Sequence, residues 1–152
     1  AVIDIGGRTT DVMCMPEGRG MIAHDMSGTE DIGLLSVIED IRRGINKRFG
    51  TELPSGIAEK ALNDGPIITI YGKEKDISDI VESAKKTMTN QLYRSVERRL
   101  GDAADIPRML FVGGGAHVLS DALKEYPAAT VPNNPAFANV RGMLKIMRFG
   151  QG

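Results

Sequence analysis

Two glycine-rich turns, each set directly after a short apolar run, constrain this chain more than any other feature: VIDIGGRTTDV at the start and MLFVGGGAHVL towards the end. In the first, Val2, Ile3 and Ile5 surround Asp4, residues 6–10 turn the chain, and Asp11, Val12 and Met13 resume an extended pattern. That pattern predicts a hairpin with a polar tip. Gly6 and Gly7 permit positive φ and let backbone N–H groups close on an anion, while Thr9 and Thr10, following Arg8 in the turn, add hydroxyl donors. The tip suits a phosphate. Asp4, just before it, suits a divalent cation held directly or through water, because Mg²⁺ takes one or two carboxylates and keeps several waters. A plain hairpin whose glycines serve only the turn carries the same letters.

The second segment reads as a buried strand over 109–112, a turn at Gly113, Gly114 and Gly115, and a helix over 116–126 with Val118, Leu119, Ala122 and Leu123 at helical spacing. It departs from the dinucleotide fingerprint G-x-G-x-x-G, since its glycines are consecutive and no third one follows at the required offset. A flat backbone surface against a base or ribose fits it better.

The remaining pattern is that of an α/β domain. Strands are expected over 1–5, 11–15 and 21–26, the last two joined by a turn over 16–20. A helix over 32–49 places Leu34, Leu35, Val37, Ile38, Ile41 and Ile45 inward and ends at Gly50 as a C-cap. A short helix spans 55–63, a strand 67–71 and a charged turn 72–76. Ile77, Ile80, Val81, Ala84, Met88, Leu92, Val96 and Leu100 then recur at steps of three and four, which predicts a long amphipathic helix over 76–100. Its Arg94, Arg98 and Arg99 read as a solvated helix end. A brief strand at 129–131, a turn at 132–135 and a final helix over 136–148 complete the chain.

Charge and composition exclude several classes of function. Nineteen basic residues against 20 acidic ones give a net charge of −1, which predicts no general attraction to nucleic acid or to a membrane surface. A single cysteine, Cys14, excludes an internal disulfide and reads as a small buried side chain. No apolar run approaches the roughly 20 residues that span a bilayer, and no signal peptide precedes the first strand, so a cytoplasmic protein is expected. Eight methionines and no tryptophan suggest an aliphatic, adaptable core. Neither His24, placed in an edge strand, nor His117, after the glycine triplet, has partners at zinc-ligand spacing.

Asp4, Gly6, Thr9 and Asp11 meet the pattern D-x-G-x-x-T-x-D, which resembles the second phosphate motif of the actin, hexokinase and heat-shock chaperone superfamily. FVGGGAHVL resembles its adenosine motif, and the closing NNPAFANVRGMLKI resembles the end of bacterial actin-like plasmid-segregation ATPases of the ParM/StbA type. The resemblance implies an actin-like, ribonuclease-H-like lobe: a mixed sheet flanked by helices, with core 1–31 and 101–152, a small inserted subdomain over about 32–75 and a linking helix at 76–100. By the same resemblance this is the second of two lobes, with the first lobe and its water-orienting base absent.

What the resemblance implies for chemistry is specific. Asp4 would organise Mg²⁺ and its waters, Gly6, Gly7, Arg8, Thr9 and Thr10 would hold the β- and γ-phosphates of ATP, and Gly113, Gly114, Gly115 and Ala116 would pack on the adenosine. In SGIAEKALNDG, Glu59 and Asn63 are four apart on one helix face, placed for ribose and base, although a solvated surface helix reads the same. Leu62 stands where the family often has a basic residue. Implied partners are the first lobe, further copies of the full-length protein in a filament, and plasmid DNA through an adaptor rather than directly. The alternatives are a sugar or acyl kinase lobe and a non-catalytic assembly scaffold. Preference for ATP over GTP is open.

Overall fold

The computed structural model describes residues 1–16, 20–101, 106–126 and 128–149. The apolar runs around the first turn pair as expected: β1 (Val2–Ile5) and β2 (Thr10–Met13) are antiparallel, with Asp4 opposite Asp11. Alternation along them sends Ile3, Ile5, Thr10 and Val12 into the core and Asp4, Asp11 and Met13 to the other face. β3 (Gly28–Glu30) joins β2 antiparallel, while β6 (Met109–Val112) and β7 (Ala129–Thr130) extend the other side in parallel, giving the mixed order β3-β2-β1-β6-β7.

Helices α1 (Leu34–Phe49) and α3 (Ser78–Leu100) bring Val37, Ile41 and Ile45 together with Met88, Leu92 and Val96 into one core with the strands. The two helices approach closely because residue 44 is glycine: a Cβ there would stand 2.5 Å from Ile80 Cγ2. α1 ends at Gly50 in the left-handed conformation (φ 66°), the cap the sequence predicts. α2 (Ser55–Asn63) follows with the predicted bounds, and Arg42 Nε donates to Leu53 O at 3.1 Å across the connection.

Several expectations are corrected. Residues 21–26 are not a strand: Ser27 Oγ donates to Ala23 O at 2.7 Å and accepts Cys14 N–H at 3.0 Å, folding a 3₁₀ turn at His24–Met26 and displacing the third strand to β3. His24 is therefore on a turn. The charged segment 72–76 is mostly strand: β5 (Lys73–Asp76) pairs with β4 (Ile67–Ile70) across Tyr71 and Gly72, both at positive φ. Two consecutive positive-φ residues make a tight hairpin that overrides the low strand propensity of Lys, Glu and Asp. Just ahead of α3, Asp76 Oδ1 accepts Ser78 N–H at 2.8 Å, tying the strand end to the first helical amide.

The glycine triplet is no loop either. α4 (Gly113–Val118) starts at the first glycine, and α5 (Ser120–Leu123) follows a break at Leu119. In α1, Leu35 faces out at 58% exposure. Methionine does not fill the core: Met88 and Met109 are buried, but Met13, Met15, Met21, Met143 and Met147 are exposed. The closing segment is a 3₁₀ turn at Pro135–Phe137 and then α6 (Ala138–Phe149), none of whose described residues is buried. The turn expected at 16–20 includes 17–19, outside the described residues. Cys14 is buried and unbridged, as expected. Among the described residues no helix is long and apolar enough to cross a membrane.

Candidate nucleotide site

The first glycine turn is built from below by α1. Gly6 N–H donates to Thr9 O at 2.9 Å, closing the turn, and the first helical amides, Leu34 N–H and Leu35 N–H, donate to Gly6 O at 3.2 Å and Gly7 O at 2.8 Å. The carbonyl side of the turn is thus tied to amides that a helix N-terminus would otherwise leave unpaired. Gly33 makes this possible by close approach, since a Cβ there would stand 2.5 Å from both Gly7 O and the carbonyl carbon of Arg8. Gly7 and Arg8 remain exposed at the tip and Thr9 is half-buried. Thr10 is fully buried and its Oγ1 donates to Ile32 O at 2.7 Å. Its proton is committed to the fold, so Thr10 fastens the turn rather than offering a donor to a ligand.

Asp4 and Asp11 face each other on the open side of the sheet, a like-charge pair that costs stability unless donors meet it. Asn139 Nδ2, at the start of α6, donates to Asp4 Oδ2 at 2.6 Å, and Thr29 Oγ1 donates to Asp11 Oδ1 at 2.5 Å. The two carboxylates border an open cavity of about 510 Å³ that also reaches Met13, Ile22 and His24. Among the described residues no three His, Cys, Asp or Glu side chains gather as a metal cluster. Two acidic groups on paired strands fit Mg²⁺, which draws most of its ligands from water and phosphate, and do not fit zinc.

α4 lies directly against β1, which brings the two glycine motifs together. Gly113 has φ 87°, and a Cβ there would stand 2.5 Å from Ile5 O; at Gly115 it would stand 2.8 Å from Ile5 Cβ. Those two glycines serve close packing on the strand that ends in the 6–10 turn. Gly114 differs: it is exposed, and a Cβ there would meet no atom within 4 Å. Ala116 is fully buried, so of the predicted adenosine surface Gly114 is the residue that presents it. His117 is exposed on the next turn.

Glu59 and Asn63 are both exposed on α2. Asn63 borders a cavity of about 350 Å³ with Ser78, Glu82 and Lys85, and a second cavity of about 300 Å³ runs from Glu82 and Lys85 to Tyr93, Val118 and Leu119. The two share Glu82 and Lys85 and so are neighbours between the end of α2 and the end of α4. Glu59 is not part of their lining.

Of the three arginines Arg99 departs from the expected solvated helix end, its side chain 24% exposed, whereas Arg98 stays 69% exposed. Glu30, 14% exposed in its side chain, accepts from Arg98 Nη2 at 2.9 Å and from Arg99 Nε at 2.6 Å. Burial pushes the Glu30 carboxyl up, but hydrogen bonds from Ser95 and Arg99 and the charges of Arg99 and Arg98 together hold it below the usual carboxylate range. Arg94 is exposed.

A mixed sheet with a glycine turn, paired acids beside it and a glycine helix on the same strand is an actin-like arrangement, and the family described as archaeal actin homologue MreB-like, C-terminal, matches residues 2–125. The chain belongs to that family. A curated archaeal actin homolog from Thermoplasma volcanium is 28% identical over 148 residues, covering 93% of this chain and 44% of the relative. A crystal structure of an archaeal actin homolog superposes with TM-score 0.84 at 24% identity over 97% of this chain and 47% of the other; the same protein in complex with ADP gives 0.78 at 26%, over 93% and 46%. A ParM filament from Clostridium botulinum gives 0.83 at 22%, over 97% and 44%. The actin-like fold expected from sequence is therefore present. The chain spans about half the length of the relatives it matches.

Sequence reasoning missed Asn139, Thr29, Gly33 and Glu30 as parts of this region. Asn139 reaches Asp4 from 135 positions away, a separation that leaves no local trace. Gly33 had one: a glycine directly before an apolar helix pattern in a chain whose other glycine turn needs support.

Proposed function

We propose that this chain is the second, nucleotide-binding lobe of an actin-like ATPase that assembles into filaments. On this reading 1–31 and 101–152 form the core, about 32–75 an inserted small subdomain and 76–100 the linking helix, with the first lobe supplied by the rest of a longer protein. The observation that carries it is the joint placement of the 6–10 turn and Gly114 beside β1, with Asp4 and Asp11 next to them. The turn would hold the β- and γ-phosphates of ATP through Gly7, Arg8 and Thr9, while Gly6, whose N–H is committed to Thr9 O, closes the turn. Asp4, with Asp11, would hold Mg²⁺ through water. Gly114 would meet the adenosine, and the cavity bordered by Asn63 and Lys85 would take the base.

Likeness to ParM supports the narrower reading of a plasmid-segregating filament that reaches DNA through an adaptor, in the cytoplasm. A lobe offering one wall of a cleft leaves most of the nucleotide in water, whereas tight pockets bury about 70–90% of a ligand. Calorimetric titration with ATP–Mg²⁺ is therefore expected to give saturable binding weaker than roughly 100 µM, about −5.5 kcal/mol. Sub-micromolar affinity would overturn the half-cleft reading, and no saturable binding would overturn the nucleotide site.

A further inference from the structure

We propose that Glu30, gripped by Arg98 and Arg99 at the end of α3, is a positioning residue for the 6–10 turn. The inference rests on the reading of that turn as a phosphate site. It begins with the way Arg99 is held. Besides Glu30, its guanidinium donates to Ser27 O at 3.2 Å and Thr29 O at 3.3 Å, reaching along β3. Residue 28 must be small for this, because a Cβ there would stand 2.5 Å from Arg99 Nη1. A planar fork that meets a carboxylate and two carbonyls at once is fixed more firmly than a lysine ammonium could be.

Glu30 is the last residue of β3 and pairs with Thr10. From it the chain passes straight beneath the turn: Ile32 O accepts the Thr10 hydroxyl, Gly33 lies on Gly7 and Arg8, and Leu34 and Leu35 donate to Gly6 and Gly7. Four of the five turn residues rest on segment 32–35. Its downstream end is held by α1, and its upstream end is held by the Glu30 ion pairs. Without them the strand end keeps its pairing to β2, which is itself one side of the turn, and the longer contacts of Arg99 to Ser27 O and Thr29 O. A ligand that needs several backbone donors in fixed geometry loses most when such a floor loosens, and a ligand that meets only the base end loses least.

The test measures amide hydrogen exchange and ligand affinity by NMR on this chain and on Glu30→Gln, which keeps the shape and removes the charge. Arg99→Lys, which keeps the charge and loses the fork, serves as the milder variant should Glu30→Gln fold poorly. Exchange at the hydrogen-bonded amides of Gly6, Leu34 and Leu35 is expected to accelerate by about tenfold or more relative to Ile41 and Ile45. Affinity for ATP–Mg²⁺ is expected to fall about three- to tenfold while affinity for adenosine stays within about twofold. Unchanged exchange in the turn, or equal loss of ATP and adenosine, would overturn the positioning role. Accelerated exchange in a chain that binds no ATP would overturn the phosphate reading instead and leave the mechanical link standing.

Discussion

The three glycines of the second motif are adjacent in sequence and unequal in the structure, and replacing them one at a time separates packing from binding. A methyl at residue 115 would stand 2.8 Å from Ile5 Cβ and 3.0 Å from Ile5 O, atoms of a fully buried strand residue with no flexible end to yield. Gly115→Ala must then lift α4 from β1 or displace the strand, an overpacking cost of about 1–3 kcal/mol. In a domain of this size each kcal/mol moves the melting temperature by about 2–4 °C, so a fall of about 2–12 °C is expected. At residue 114 nothing lies within 4 Å, and alanine there gains up to about 0.5–1 kcal/mol from lower chain entropy and better helix propensity. Gly114→Ala should melt at or above the parent, yet bind ATP at least about threefold more weakly, because its methyl stands on the proposed adenosine surface. Scanning calorimetry with an ATP titration of each variant measures both. Equal melting of Gly115→Ala and the parent within about 1 °C would refute the packing argument. Unchanged ATP affinity of Gly114→Ala would refute the placement of adenosine.

Thr10→Val leaves Ile32 O without its buried donor and should cost about 1–3 kcal/mol in urea unfolding, with loss concentrated in exchange protection of the turn. Glu30 is ionised in the fold more readily than in the unfolded chain, so its contribution is complete above about pH 4.5 and is lost as the pH falls through its lower native value. Urea midpoints of Glu30→Gln should accordingly fall less than those of the parent on acidification from neutrality. Tyr93, whose hydroxyl donates to Ala122 O, has its phenol pushed up to about 12 by burial and by the nearby Glu125 and Tyr126, and its ultraviolet ionisation should appear there. In the two-lobed ATPase proposed above, Asp4→Ala should slow ATP hydrolysis by at least about tenfold, ~1.4 kcal/mol of barrier, with a much smaller change in ATP affinity.

The strongest signals in the sequence were periodic and local, and those elements stand where they were expected. α2 and β6 have the predicted bounds, while α1 and α3 each begin slightly later than their apolar pattern suggests. That residues 6–10 form a hairpin tip was legible because two apolar runs flank them, whereas the segment 32–35 that holds the tip from below was not. What was not legible depended on partners far away in the chain. The third strand forms at Gly28–Glu30 because Arg99, 69 residues from Glu30, lies across it; from letters alone, the methionine-containing stretch at 21–26 had the better strand pattern. The roles within the glycine triplet follow from how α4 seats on Ile5, which spacing does not encode. Thr10 illustrates the same limit at one atom: its hydroxyl reads as available in the sequence, and only the fold places Ile32 O against it.

The central claim is that the first glycine turn and the exposed edge of α4 form one wall of a nucleotide site. A ¹⁵N-resolved NMR titration of this chain with ATP–Mg²⁺ tests it most directly, because it reports location as well as binding. The account predicts that the amides of Gly6, Gly7, Arg8 and Thr9 shift together with those of Gly113 and Gly114, along one saturation curve. Shifts confined to other surfaces, or the two motifs titrating with separate affinities, would contradict it.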